Sequence, residues 1–145
     1  MVTYRNLPKL HYRLIPLSPK EALRLQRKQG EDNLKVLESK TARLSRTIDL
    51  PDEGDLQEHR TEFAIDGQDF GSYALLFSSN PDFGASGNTG VAFFTVSEMG
   101  VIFRRDANRF LVAHRNSGQP LPNVDLQFYT TRYNRQKREQ ELIPH

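Results

Sequence analysis

The stretch NSGQPLPNVDLQFY, Asn116 to Tyr129, decides how the rest of the chain is read. Its polar half gives way at once to Val124, Leu126 and Phe128 alternating with Asp125 and Gln127, the two-residue period of a strand with one solvated face. Ahead of that run, Gly118 is free to take positive φ, while Pro120 and Pro122 fix φ and have no amide to give to a ladder. A glycine, two prolines and then a period of two describe a corner running into a strand. The competing reading is a ligand loop, since loops between strands do carry sites.

Working outward, the period recurs along most of the chain. Val101 to Arg105, a short turn at Asp106, Ala107 and Asn108, and Phe110 to His114 predict a hairpin. The run VAFFTVS is apolar on both faces and predicts a central strand. From Ser72 to Ser79, Tyr73, Leu75 and Phe77 face one way and Ala74 and Leu76 the other. His59 to Ile65 predicts a strand with Phe63 and Ile65 on one face. Ala42, Leu44, Ile48 and Leu50 keep the period across Arg46 until PDEGD closes it, and Leu10, Tyr12 and Leu14 begin the first run, which ends at Leu17. Beyond Arg132 the chain turns polar and predicts a solvated strand end.

One segment breaks this pattern. Ser18 is placed to cap a helix, Pro19 stands where no amide is needed, and Glu21 is placed to complete a capping box. The helix is predicted to run to about Lys40, weakened at Gly30, with Ala22, Leu23, Leu34 and Leu37 inward and Glu31 paired with Lys35. With so narrow an apolar stripe it is expected to lie across the outside of a sheet as an insertion. About eight short strands without alternating helices predict a mainly β chain, an immunoglobulin-like antiparallel β-sandwich with one inserted helix near residues 18–40.

Composition sets the outer bounds. Apolar residues make up 37% and charged residues 26% of 145, which suits a globular chain with one good core, or one domain and part of a second. A formal charge of +2 is too small to demand a nucleic-acid partner. No segment is apolar enough to insert in a membrane, and MVTYRNLPKL has no apolar core of signal-peptide length, so the chain is expected to be cytosolic or to have an export signal upstream. The absence of cysteine excludes disulfides, thiolate nucleophiles and cysteine-ligated zinc.

Candidate chemistry is sparse. His11, His59, His114 and His145 share no metal spacing, and the first three fall within predicted strands. Asp49, Asp52, Glu53 and Asp55 crowd one loop without the order of an EF-hand, and a solvated turn is the plainer reading. Ser72, Ser78, Ser79 and Ser86 lack a nucleophile elbow. GASGNTG has glycines but neither the lysine nor the helix of a phosphate loop, and reads as a mobile connector. The tail sets Arg132, Arg135, Lys137 and Arg138 among Tyr129 and Tyr133, a single-strand nucleic-acid pattern that Glu139 and Glu141 dilute. No catalytic, cofactor-binding or metal residue is assigned, and the chain is read as a non-enzyme without cofactor.

Strand, hairpin and the corner NSGQPLPNVDL together are similar to the T-G-x-P-L-x-G-A-x-V pattern that opens strands in macroglobulin-type domains of bacterial alpha-2-macroglobulin-like proteins. Gly118, Pro120, Leu121, Val124 and Leu126 fit it, while Ser117 replaces the usual threonine and Asn123 the usual glycine. VTYRNLPKLHYRLIPL, GSYALLFSS and FFTVSEMGVIF resemble the earlier strands and the interdomain joint, in that order. The resemblance implies one module over residues 1–97, with 98–145 the first strands of a following module or a continuation of the same sandwich. It implies a non-catalytic structural part of a scaffold for protease trapping or inhibition at the cell envelope. The place would be periplasmic, outer-membrane-associated or extracellular. Neighbouring modules of the same parent chain would be partners, and proteases the parent's targets. The reactive thioester of many such proteins needs a cysteine, so it would lie elsewhere. The alternative is a stand-alone surface β-sandwich that binds carbohydrate or protein through the glycine-rich loop and aromatic strand faces.

Overall fold

A computed structural model describes residues 1–27, 31–51, 54–84, 88–136 and 139–145. In chain order these form β1 (Val2–Tyr4), β2 (Lys9–Leu17), α1 (Pro19–Arg27), α2 (Glu31–Glu38), β3 (Leu44–Asp49), β4 (His59–Thr61), β5 (Gly71–Ser78), β6 (Thr89–Val96), β7 (Met99–Arg104), β8 (Arg109–His114), β9 (Tyr129–Asn134) and β10 (Glu139–Pro144). The chain is mainly β with antiparallel sheets, and it divides into two compact units, Met1–Thr95 and Val96–His145.

In the first unit β2 is the hub. It pairs antiparallel with β3 on one side, setting Leu10 opposite Ile48 and Leu14 opposite Leu44, and with β5 on the other, setting Leu14 opposite Leu75. β6 completes a sheet of order β3-β2-β5-β6. Because a strand shows alternate residues to alternate faces, the sheet separates two sets of apolar side chains. Ile15, Leu17, Ala74 and Leu76 join the helical residues Ala22, Leu25 and Leu37 and the loop residue Phe83 in one buried cluster. On the other face Leu10 packs with Tyr4 and Leu50, flanked by Val2, Ile48, Phe63 and Phe77, beneath the two-stranded sheet β1-β4. Tyr12 stacks on Phe63 at 5.4 Å between ring centroids, and Tyr73 on Phe94 at the same separation.

Several expectations change here. The single helix is two helices, α1 and α2, on either side of residues 28–30, so the expected break at Gly30 lies outside the described residues, as does the side chain of Glu31. Ser18 does cap α1, its Oγ accepting the Glu21 amide at 3.3 Å, but the Glu21 carboxylate pairs with Lys40 Nζ at 2.7 Å. Leu23 is only half-buried, and Leu25 takes the inward place at 2% exposure. The helices lie across one face of the sheet as expected, held by a narrow stripe in which Ala22, Leu25 and Leu37 join the core cluster. β6 is an edge strand and not a central one. Its apolar pattern is real: Val91 and Phe93 pack toward the helices and Phe94 onto Tyr73, so its faces are covered while one edge stays unpaired. The predicted strand His59 to Ile65 is paired only over His59–Thr61.

The second unit is two hairpins. β7 and β8 pair from Met99 opposite His114 to Arg104 opposite Arg109, and Asn108 takes a positive φ of 48° in the connecting turn. β9 pairs with β10 over Tyr129 to Asn134. This corrects the tail from a solvated strand end to a complete hairpin, with Asn134 turning the chain as its Oδ1 accepts the Gln136 amide at 3.0 Å. The corner is a corner: the Gly118 amide donates to the His114 carbonyl at 2.8 Å, the His114 amide to Gln119 at 2.8 Å and the Leu121 amide to Val112 at 2.9 Å. Gly118 has φ 71°, and Pro120 bridges Ala113. The run Val124 to Phe128 is not a strand; it leads into β9, which begins at Tyr129, and the Phe128 carbonyl accepts the His145 amide at 2.9 Å.

Candidate functional site

Every candidate reactive group in the described residues has a structural partner or stands apart from the others. His11 Nδ1 meets Thr47 Oγ1 at 2.9 Å across the β2–β3 ladder. His59 Nε2 meets Asp55 Oδ1 at 2.7 Å, and the same carboxylate accepts the Gln57 amide at 2.9 Å. These two bonds, the amide first and the histidine second, hold the Asp55 carboxyl below the usual aspartate range. His114 Nε2 lies 3.7 Å from Glu98, and its Nδ1 is buried without a partner among the described residues. Of the acidic loop, Asp49 pairs with Lys9 at 3.4 Å, while Asp52 and Glu53 lie outside the described residues. No group of three or more His, Asp or Glu among the described residues is placed to hold a metal ion.

The serines serve the loop between β5 and β6. Ser78, 1% exposed, accepts the Asn80 amide at 3.0 Å and the Thr89 hydroxyl at 3.4 Å, and Ser79 Oγ accepts the Asn88 amide at 3.2 Å. Ser72 Oγ is 3.4 Å from Thr95 Oγ1, and Ser86 lies outside the described residues. Phe83, from the same loop, is buried at φ 55°, a strained place for an aromatic residue that its burial in the core stabilises. The Arg13 guanidinium lies 4.2 Å over that ring. Asn80 to Phe83 are thus anchored, while the centre of the stretch GASGNTG, residues 85–87, lies outside the described residues.

Clefts on the first unit include a shallow one of about 320 Å³ among His11, Arg13, Ser45, Thr47 and Phe83. A second, about 380 Å³, runs beside β1 over Leu10, Phe77 and Gly90, with Arg5 as its charged wall. A Cβ on Gly90 would stand 2.4 Å from Phe77 Cε2, so the bare backbone is what lets the ring lie where it does.

The second unit presents a different surface. Only Val112 and Ala113 are buried among its apolar side chains, while Val101, Ile102, Phe103, Phe110, Leu111 and Phe128 are 41–58% exposed. Cross-strand partners share a face, so Val101 and Phe103 lie with Val112 and Phe110, and Ile102 lies with Leu111 on the other side. The first face carries an aromatic ladder: Phe103 stacks on Phe110 at 4.7 Å, and Phe110 meets Phe128 at 5.0 Å. A hairpin apolar on both faces has the pattern of an interior strand pair. The alternating pattern signalled these residues; their exposure depends on what covers each face.

Arg132 and Tyr133 of the basic tail lie in β9. Arg132 sits opposite Glu141 in the β9–β10 ladder, the Tyr129 hydroxyl donates to Gln127, and Lys137 and Arg138 lie outside the described residues. No helix is long and apolar enough to cross a membrane among the described residues. Comparison with known proteins finds no matching family model, no matching curated protein and no matching solved structure.

Proposed function

We propose that the chain is a non-catalytic structural segment of a large alpha-2-macroglobulin-like protein, made of an immunoglobulin-like, macroglobulin-type sandwich and the opening strands of the next module. The observation that carries this reading is the hairpin β7–β8, apolar on both faces and exposed on both. Such a hairpin gains stability only when other chain covers it, at roughly 25 cal/mol for each Å² of apolar surface removed from water. In a modular protein that cover comes from the strands that complete the sandwich and from adjacent modules. The corner at Gly118 and the resemblance of successive strands support the same assignment. Its work is spatial: holding neighbouring modules in a scaffold that encloses proteases at the cell envelope, while covalent trapping falls to parts of the parent that contain cysteine.

The second reading, a surface domain that binds carbohydrate, draws on the ladder Phe103–Phe110–Phe128. Val101 beside that ladder, and Ile102 and Leu111 on the opposite face, supply no hydrogen-bonding groups for sugar hydroxyls, so protein packing fits the surface better.

A single reporter separates these readings. The chain has no cysteine, so Ile102→Cys introduces one thiol at a site 56% exposed. The expected outcome is rapid maleimide labelling in the isolated chain and at least tenfold slower labelling in the native protein prepared from its own cells. Equal rates in both would overturn the module reading.

A further inference from the structure

The two sheets of the first unit are unequal: four strands, β3-β2-β5-β6, face a sheet of two, β1-β4. Tyr4 and Val2 of β1 pack with Leu10 and Phe77, so β1 lies over the larger sheet. Beside it the cover stops, and the cleft of about 380 Å³ opens over Leu10, Phe77 and Gly90. β1 pairs with β4 along one edge only. Its other edge pairs with no strand among the described residues, and because backbone groups alternate in direction, either Thr3 alone or Val2 and Tyr4 together present N–H and C=O groups on that side.

We infer that this cleft is a strand-acceptor groove, which binds an extended peptide of alternating apolar and polar residues as a third strand beside β1. Three features choose that occupant. The open edge supplies main-chain pairing over three residues, about 10 Å of extended chain. Leu10 and Phe77 form an apolar floor suited to the side chains that such a strand turns inward, kept open because Gly90 lets the Phe77 ring lie back against β6. Among the described residues Arg5 is the charged residue lining the cleft, so the complementary peptide carries an acid at that end. The inference does not depend on the module reading, since the groove belongs to the first unit and its chemistry is independent of the parent protein.

The test uses the whole 145-residue chain and a short synthetic peptide of alternating valine and threonine with a terminal glutamate. Hydrogen exchange read by NMR is expected to show the β1 amides on the open edge, that of Thr3 or those of Val2 and Tyr4, slowed at least tenfold on binding. A peptide N-methylated at the positions that face β1 should lose binding, because side chains alone do not reproduce the ladder. Arg5→Glu should weaken the glutamate peptide about threefold, in line with an exposed ion pair, and favour a lysine-ended peptide instead. Equal binding by the N-methylated peptide, or no binding by any of them, would overturn the assignment. Peptide-free dimerisation with the same amides protected would make a second copy the occupant and overturn it as well.

Discussion

The two units handle the same kind of strand differently. In Met1–Thr95 the apolar residues of β2 and β5 are closed on both faces, with Leu14, Ile15, Ala74 and Leu76 at 0% exposure. In Val96–His145 the equally apolar β7 and β8 keep only Val112 and Ala113 buried. Sequence pattern is alike in the two pairs; what differs is cover, supplied in the first unit by α1, α2 and the β1-β4 sheet. Stability therefore belongs to the layers around a hairpin more than to the hairpin itself, as expected for sheets that need a packed face.

The sharpest way to break this comparison is truncation in each unit. Leu76→Ala should destabilise the first unit by about 3 kcal/mol, and Leu37→Ala by a similar amount, both side chains being fully buried. Leu111→Ala, 41% exposed, should cost under about 1 kcal/mol. Chemical denaturation of the three variants measures this, and equal losses would remove the distinction between the units. Gly90→Ala comes next, at about 2 kcal/mol, since the new methyl must displace the Phe77 ring from a packed cluster. Ser18→Ala follows at about 1 kcal/mol, the worth of an N-cap, read by the loss of helical circular dichroism on heating.

The smallest effect is a pH dependence. Asp55 is held below its usual range by the Gln57 amide and His59, so its ionised form stabilises the folded state. A depressed carboxyl contributes stability above its unfolded pKa, about 4, and loses it as pH falls through the folded value. Asp55→Asn should melt slightly earlier than wild type at pH 6 and together with it well below pH 3. Asp106, lowered chiefly by its bond to Arg104, allows the same comparison in the second unit. Thermal melts across that range would show a constant difference if the shift were absent.

Much of the architecture was legible because alternation reports which faces are apolar. β2, β3, β5 and the β7–β8 hairpin follow from it, and the Ser18–Pro19 start of α1 follows from capping chemistry. Alternation is silent about edges. VAFFTVS reads as central because both its faces are covered, yet β6 ends the sheet. It is equally silent about partners: Val124 to Phe128 alternates well yet forms no strand, whereas the polar β9 and β10 pair through their backbones. β1 is three residues long and depends on β4, some 55 positions later, so no local signal marks it. The groove beside β1 was hidden for the same reason, while the residues of the exposed hairpin were visible without their exposure.

Limited proteolysis of the intact chain followed by mass spectrometry tests the contrast most directly. Early cuts are expected between residues 96 and 136, with a surviving core that ends near Thr95. Uniform resistance through Tyr133, or cuts as early in β2 and β5 as in β7 and β8, would contradict it.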